Sequence, residues 1–172
     1  INIYQPSLGK EELQAVKEVF ESNWIGKGPK TAEFEKLLSE RLNCSEENLT
    51  TTTCCTEGIF QILDYLEIGE GDEVILPSIS FIGIGNAILD RGAKPVFCDI
   101  DPYTYHITLD SIKRMYSDKV KAIVYPHLFG SMSDITEILK FCKEKNIYFV
   151  EDAAQAIGSS LNGIKAGTQG DF

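Results

Sequence analysis

The spacing of hydrophobic positions changes along the chain. Before residue 43, apolar residues recur every three or four positions, as Leu13, Val16 and Phe20 do, and this period predicts amphipathic helices. From residue 73 onward, short continuous apolar runs alternate with amphipathic stretches. Continuous apolar runs are typical of strands that are buried on both faces of a parallel sheet, so this later pattern predicts repeated βαβ crossovers.

The same pattern predicts where each element lies. Strands are expected at 73–77, 95–99, 121–125 and 147–152, and helices at 7–20, 31–42, 56–66, 82–89, from 108, and about 135–145. Asp134, three residues before Glu137, predicts a capping box at the start of the last helix. The β-branched run 49–53 predicts a short strand that leads into a strand-to-helix junction. With no internal repeat or linker, the sequence predicts one α/β domain.

Composition excludes several classes of function. The 172 residues include 16 Lys and Arg against 26 Asp and Glu, a net charge of −10, whereas a nucleic-acid partner needs clustered positive charge. No apolar run approaches the roughly 18 residues of a membrane span. Five cysteines, an odd number without a C-x-x-C pair, indicate neither a disulfide framework nor a zinc site. The two histidines share no close spacing with them, so no metal site is predicted, and free thiols favour the reducing cytoplasm.

Ligands of parallel sheets bind beyond the carboxyl ends of the strands, which directs attention to the residues that follow each apolar run. The junction 53–58 combines hydroxyl and thiol side chains with the free N–H groups of a helix start. Such a junction would suit a phosphate, with the Thr56 hydroxyl as a further donor. Taken alone, these residues favour an ordinary Ser/Thr N-cap over a phosphate site.

Two carboxylates, Glu151 and Asp152, end the last predicted strand. Because neighbours along a strand point to opposite faces, one of them can face solvent or cap a segment while the other lies over the sheet. A carboxylate buried there needs a cationic or hydrogen-bonding partner, since burial alone raises its pKa. Gln155 lies on the same side if the chain begins to turn. A purely capping role for the acids is the alternative.

Three further features carry less information. Phe81 is either a flat lid over an aromatic ligand or a core residue, and His127 is interpreted as a structural hydrogen-bonding residue. The run 83–88 has Ile88 where a dinucleotide fingerprint has its third glycine, which disfavours a nicotinamide site. No spacing typical of a phosphate-binding P-loop occurs in the chain.

Taken in order, these motifs resemble those of the DegT/StrS family of nucleotide-sugar aminotransferases. The resemblance runs from 24–29, Trp-Ile-Gly-Lys-Gly-Pro, to 170–172, Gly-Asp-Phe, and its most specific part is 151–156, Glu-Asp-Ala-Ala-Gln-Ala. Members are pyridoxal-phosphate enzymes with the aspartate-aminotransferase fold. The resemblance implies a three-layer α-β-α architecture in which residues 1–172 form the N-terminal segment and part of the cofactor-binding large domain, without the C-terminal small domain.

The resemblance also implies which residues bind pyridoxal 5'-phosphate. Asp152 would pair with the pyridine nitrogen, Gln155 would bond to the phenolic oxygen, and Phe81 would stack on the ring face. Thr56, with backbone N–H groups from Cys55 onward, would hold the phosphate at the helix start. An anion beside the ring nitrogen keeps the ring protonated and therefore electron-withdrawing. Cys55 departs from the family, which usually has glycine there, and its side chain would crowd the phosphate.

No catalytic residue is assigned within this chain. In the family, Gly-Asp-Phe leads on to the lysine that forms the Schiff base with the cofactor, and the sequence ends at Phe172. Lys165 lies in an expected exposed hairpin, 162–165, outside that motif. The terminal residues, Ile1 and Phe172, predict a chain trimmed at both ends. Without the family's lysine, the resemblance implies that residues 1–172 are inactive alone. Family members place each active site between two subunits, which implies a homodimer.

The resemblance implies that the complete enzyme transfers an amino group from an amino acid, typically glutamate, to a keto-sugar nucleotide. Such a step belongs to amino-sugar biosynthesis for cell-surface polysaccharides such as lipopolysaccharide. The lysine would form the Schiff base and move the proton. Two alternatives stay open. One is a sugar dehydratase of the same family, in which histidine replaces the lysine, and the other is a non-catalytic regulator or scaffold that kept the fold.

Overall fold

The computed structural model describes residues 5–172, which form two compact units divided after Thr51. The helices are α1 (Lys10–Glu21), α2 (Pro29–Leu42), α3 (Cys55–Tyr65), α4 (Ile82–Asp90), α5 (Leu109–Met115) and α6 (Thr136–Lys145). The strands are β1 (Glu73–Pro77), β2 (Lys94–Cys98), β3 (Val120–Pro126), β4 (Tyr148–Asp152), β5 (Ser160–Leu161) and β6 (Ile164–Lys165). Each predicted helix and each of the four predicted apolar strands is present.

The first unit contains α1, α2 and a 3₁₀ turn at Glu46–Asn48. None of the side chains of α1 is buried among the described residues, and Phe20 on its apolar side is 67% exposed. Glu35 of α2 accepts hydrogen bonds from Lys27 Nζ (2.8 Å) and from the Thr51 hydroxyl (2.7 Å) and N–H (3.1 Å). These bonds lower the pKa of Glu35 to about 2, so this carboxylate stays charged.

The second unit is built on a parallel sheet of four strands in the order β2-β1-β3-β4. Because β1 pairs with β2 on one side and with β3 on the other, the chain reverses its path across the sheet at β1. Doubly wound sheets bind their ligands at such a point. Strand β1 is buried along its whole length, and Lys121 is the one exposed residue of β3. The continuous apolar runs therefore predicted burial on both faces correctly.

Helices cover both faces of this sheet. Val74 and Leu76 pack in a core with residues of α3 and α4, whereas Ile75, Ile123 and Phe149 pack in a second core with residues of α5 and α6. Adjacent strand residues enter opposite cores because their side chains alternate. The three-layer α/β/α arrangement predicted from the sequence is confirmed.

The strand predicted at 49–53 is wrong. These residues pair with no strand in the part of the chain that the structure describes. The Thr52 hydroxyl donates to the Cys54 carbonyl (2.9 Å), and a local bond of this kind competes with sheet pairing. Helix α3 is thus reached from a loop and not from a strand.

The capping box predicted at the start of α6 is also wrong. Asp134 Oδ1 accepts a hydrogen bond from the Thr136 N–H (2.9 Å), only two residues ahead, and Ile135 occupies the N-cap position. Thr108, by contrast, caps α5 and accepts from the Ser111 N–H (3.2 Å). The Asp134 carboxylate thus bonds to the first residue of α6 across a short turn and does not occupy the N-cap position.

Strands β5 and β6 form the hairpin that the sequence predicted around Lys165. Ser160 lies opposite Lys165, and Leu161 lies opposite Ile164, in an antiparallel pair. The chain then returns to the main sheet, where the Asp171 N–H donates to the Phe149 carbonyl (2.8 Å). The last described residues therefore lie along strand β4.

Candidate functional site

Three elements bring predicted site residues to the carboxyl edge of the sheet. Asp152 is the last residue of β4, and Phe81 lies beyond the end of β1, directly before α4. Cys55 and Thr56 open α3. Asp152 shares the strand face of Val150, which packs in the core beneath α3 and α4. The alternation of β4 therefore directs Asp152 toward the helices that carry the other residues.

The side chains of Asp152 and Cys55 are in contact although 97 positions separate them. The Cys55 thiol donates to Asp152 Oδ1 (3.4 Å), and the same oxygen accepts from the Ala154 N–H (3.1 Å). Among residues 5–172, no group donates to the second oxygen, Oδ2. One oxygen is thus held in place by the protein, and the other is available to an N–H group of a ligand.

The Cys55 thiol is held in its protonated form. Partial desolvation of the sulfur, together with the negative charge of Asp152 and the hydrogen bond to it, raises the pKa of Cys55 to about 12, although the residue as a whole is exposed. A protonated thiol is a hydrogen-bond donor, so Cys55 can donate to the Asp152 carboxylate. The sequence could not show this contact, because it depends on how α3 meets the end of β4.

We expect Cys55 to be alkylated slowly at pH 8 and faster as the pH approaches 12, because the thiolate is the nucleophile. Substituting Asp152→Asn removes the negative charge and should move this pH profile to lower pH. Mass spectrometry of iodoacetamide-treated protein at a series of pH values measures the rate at Cys55. An Asp90→Asn variant, altered at the exposed end of α4, is the control and should keep the original profile. Identical profiles for all three proteins would contradict the contact.

The side chains of Thr56 and Phe81 both lie close to Gly83. A Cβ placed on Gly83 would lie 2.9 Å from the Thr56 methyl carbon and 2.8 Å from the Cε1 atom of Phe81. Only glycine therefore lets the start of α4 approach both side chains. Phe81 is 56% exposed, so its interpretation as a core residue is wrong. An exposed ring beside a helix start is a surface on which a flat ligand can stack.

The start of α3 presents backbone donors. Its N-cap residue, Cys54, makes no side-chain capping bond, and the first helical bond runs from the Gly58 N–H to the Cys54 carbonyl (3.2 Å). The N–H groups of Cys55, Thr56 and Glu57 consequently have no acceptor within the helix. The ordinary Ser/Thr N-cap considered from the sequence is absent here. Free N–H groups at the positive end of a helix dipole suit a phosphate.

Gln155 bonds to a different loop. Its Oε1 accepts from the Phe129 N–H (2.8 Å), and Phe129 has a φ of 57°, in the left-handed region that bulky residues rarely adopt. The Gln155 side-chain NH₂ donates to none of the residues that the structure describes. Gln155 therefore supports the loop after β3 through its oxygen and has its NH₂ available to a ligand.

Glu151 and Asp152 have different environments, as the alternation along a strand predicts. The Glu151 side chain is fully buried, and its carboxylate accepts from His127 Nε2 (2.7 Å) and from backbone N–H groups of 167–170. Burial raises the pKa of Glu151, but these hydrogen bonds outweigh it and the net shift is downward. The prediction that His127 is a structural hydrogen-bonding residue is confirmed.

Two kinds of site are absent from the described range. No group of three or more His, Cys, Asp and Glu side chains in residues 5–172 is arranged to hold a metal ion. None of the helices in this range is long and apolar enough to cross a membrane.

The arrangement at this edge fits one kind of ligand. It offers backbone donors for an anion at the start of α3, an exposed aromatic ring beside them, and a carboxylate oxygen without a protein donor. A molecule that joins a phosphate to a flat ring with a protonated nitrogen matches all three features. Because Gly83 has no side chain, Thr56 at the start of α3 and the Phe81 ring can both lie against it. The backbone donors and the aromatic ring are therefore adjacent.

Comparisons with known proteins connect this geometry to one family. The sequence profile of the DegT/DnrJ/EryC1/StrS aminotransferase family matches residues 6–172. The dTDP-4-dehydro-2,3,6-trideoxy-D-glucose 4-aminotransferase of Saccharopolyspora spinosa is 45% identical over 172 residues, which are 100% of this chain and 45% of that protein.

Solved structures agree with the sequence comparison. The aminotransferase TlmJ from Streptoalloteichus hindustanus is 46% identical with a TM-score of 0.95, over 99% of this chain and 47% of that one. NtdA from Bacillus subtilis, solved with its cofactor PMP bound, is 33% identical with a TM-score of 0.78, over 90% of this chain and 35% of that one. The chain spans less than half the length of these relatives. Because the family profile matches nearly every residue, the chain belongs to the DegT/DnrJ/EryC1/StrS aminotransferase family.

Proposed function

We propose that the protein carrying this chain transfers an amino group from an amino acid, typically glutamate, to a keto-sugar nucleotide, with pyridoxal phosphate as cofactor. The observation that carries the proposal is the contact between Cys55 and Asp152, which brings a carboxylate to the uncapped start of α3. The name of the Saccharopolyspora relative describes amino transfer to a dTDP-linked sugar, and NtdA holds PMP, the amino form of the same cofactor. Both support the proposal.

The cofactor would be bound by five residues of this chain. The N–H groups of Cys55 and Thr56, with the Thr56 hydroxyl, hold the phosphate, and the Phe81 ring stacks on the pyridine ring. Asp152 Oδ2 accepts the ring N–H, and the Gln155 NH₂ donates to the phenolic oxygen. When bound, the cofactor supplies an electron sink that stabilises the substrate carbanion.

From the sequence, the Cys55 side chain was expected to crowd the phosphate of the cofactor. The structure gives this side chain a different place. Its sulfur lies against Asp152 Oδ1 at 3.4 Å, so the side chain is directed to the carboxylate. The Cys55 N–H is then available to the phosphate together with that of Thr56. In this proposal Cys55 contacts both ends of the cofactor site, the phosphate through its backbone and the carboxylate through its thiol.

The remaining parts of the proposal concern the whole protein. Residues 1–172 are the N-terminal segment and part of the cofactor-binding large domain, and the Schiff-base lysine lies beyond Phe172. The active enzyme is a cytoplasmic homodimer that makes amino sugars for cell-surface polysaccharides such as lipopolysaccharide. All five cysteines are unpaired in the structure, which supports a reducing compartment.

The test uses the full-length gene product mixed with pyridoxal phosphate. We expect a cofactor-dependent visible absorption band, and borohydride reduction should attach the cofactor to a lysine beyond Phe172, which peptide mass spectrometry identifies. Glutamate should abolish the band, and a keto-sugar nucleotide should restore it.

The same experiment separates the alternatives. A bound cofactor without a trapped lysine would contradict amino transfer and favour a sugar dehydratase. The absence of any cofactor-dependent band would contradict cofactor binding itself and favour a non-catalytic regulator or scaffold.

A further inference from the structure

The buried Glu151 carboxylate has an unusually complete set of donors. Its Oε2 accepts from His127 Nε2 (2.7 Å) and from the Gly167 N–H (3.0 Å). Its Oε1 accepts from the N–H groups of Gln169 and Gly170, both at 2.6 Å. A carboxylate offers about four acceptor positions, and all four are used here. Three of the donors belong to the turn 167–170, so Glu151 organises a segment distant in sequence.

That segment is fixed along strand β4 by further bonds. The Phe149 N–H donates to Asp171 Oδ2 and the Asp171 N–H donates to the Phe149 carbonyl, each at 2.8 Å. The Glu151 N–H donates to the Phe172 carbonyl (2.9 Å). A Cβ on Gly170 would lie 2.6 Å from the Phe149 carbonyl oxygen, so only glycine permits this approach. The path of the chain toward Phe172 is therefore set by β4.

Two of the residues that donate to Glu151, His127 and Gly167, also contact the chain around Asp152. His127 joins Glu151 through its ring and joins Asp152 through its backbone, because the His127 N–H donates to the Asp152 carbonyl (3.0 Å). On the other side, a Cβ on Gly167 would lie 3.1 Å from the Ala153 Cβ, which shows how closely the turn packs there. The backbone of Asp152 is thus held by His127, and its neighbour Ala153 packs against Gly167. Both His127 and Gly167 donate hydrogen bonds to Glu151.

We propose that Glu151 and His127 are positioning residues that hold the Asp152 end of β4 and the segment 167–172 in one fixed arrangement for cofactor binding. The inference rests on the proposed function, because it assigns the pair a task at that same site. Glu151 and Asp152 face opposite sides of the sheet, so the pair acts through the backbone and not by touching the cofactor.

The charge of Glu151 matters to this task. Three N–H groups and the His127 ring stabilise the anion, and together they lower its pKa in spite of burial. The amide of glutamine has the same shape but offers one acceptor atom in place of two. In a Glu151→Gln variant at least one of the backbone donors of 167–170 loses its acceptor, and a buried unpaired donor is costly.

The test compares four variants of the full-length protein with the wild type. Glu151→Gln removes the charge of the pair, and His127→Leu removes the side-chain donor to Glu151. His127→Gln keeps a side-chain N–H donor. Glu73→Gln is the matched control, since Glu73 is also nearly buried and bonded to Lys94 and Ser117, but it begins β1 at the opposite end of the sheet.

Two measurements distinguish positioning from a merely structural role. The first is the dissociation constant of pyridoxal phosphate, and the second is the pH midpoint of the visible band of the bound cofactor. We expect Glu151→Gln and His127→Leu to weaken binding about tenfold, the lower end of what outer hydrogen-bond partners contribute at metal sites, and to shift the midpoint. We expect His127→Gln and Glu73→Gln to remain close to wild type in both.

The possible failures can be told apart. If the wild type binds the cofactor and Glu151→Gln binds it equally well with an unchanged midpoint, the pair is structural only and the inference is overturned, while the proposed function stands. If the wild type binds no pyridoxal phosphate, the proposed function fails and the inference fails with it. Should Glu151→Gln not fold, the comparison of His127→Gln with His127→Leu decides the matter by the same measurements.

Discussion

Substituting Asp152→Asn in the full-length protein is expected to lower kcat by about 100-fold or more, the range seen when one preorganised electrostatic contact is removed from an active site. An amide at this position carries no charge to keep the ring nitrogen protonated. The protein itself should fold normally, because Asp152 is only half-buried and an amide oxygen can still accept from the Ala154 N–H. Steady-state kinetics and the pH midpoint of the visible band measure the two expected changes.

The Asp90→Asn variant provides the control for this prediction. Asp90 ends α4 and is exposed, so its loss should leave both kcat and the midpoint unchanged. If Asp152→Asn retained wild-type kcat, a charge at position 152 would not be required, and the proposed pairing with the ring would be contradicted.

Phe149→Ala is expected to give the largest loss of stability, about 3–5 kcal/mol in the free energy of unfolding. Phe149 is 1% exposed, and its ring packs against Tyr125 with a centroid separation of 5.4 Å. Removing the ring leaves a cavity between the sheet and α6 that the surrounding side chains cannot close completely. Urea denaturation of the full-length protein, followed by circular dichroism, measures the loss.

Phe97→Ala is the matched control for the core substitution. Phe97 lies on β2, the edge strand of the described sheet, and is 55% exposed, so its truncation should cost far less than that of Phe149. Equal losses for the two variants would contradict the assignment of Phe149 to the core between the sheet and α5 and α6.

The sheet was predictable from the sequence because its strands are short apolar runs separated by helices. The predicted strand 73–77 coincides with β1, where both faces are covered and every residue is buried. The run 49–53 misled the prediction, since its β-branched residues are threonines whose hydroxyls can bond outside a sheet. The Thr52 hydroxyl donates to the Cys54 carbonyl, and the Thr51 hydroxyl donates to Glu35 of α2. Residue type alone does not distinguish a threonine that pairs in a sheet from one whose hydroxyl bonds to the backbone of a loop.

The site was predictable as an edge of the sheet but not as a set of contacts. Asp152 and Phe81 follow strands, so the rule for parallel sheets placed both at the carboxyl edge. The contact between Cys55 and Asp152 depends on the packing of α3 against the end of β4, which no local pattern encodes. Glu151 could be assigned to the opposite face by alternation, yet its partners in 167–170 come from a turn whose path is set by tertiary packing.

The most direct test of the account is the crystal structure of the full-length protein with pyridoxal phosphate bound. The expected result has the ring nitrogen within hydrogen-bonding distance of Asp152 Oδ2, about 2.7–3.2 Å, with the Phe81 ring against the pyridine face and the phosphate on the first N–H groups of α3. A cofactor bound elsewhere, or a ring nitrogen turned away from Asp152, would contradict the central claim that this carboxylate neutralises the ring.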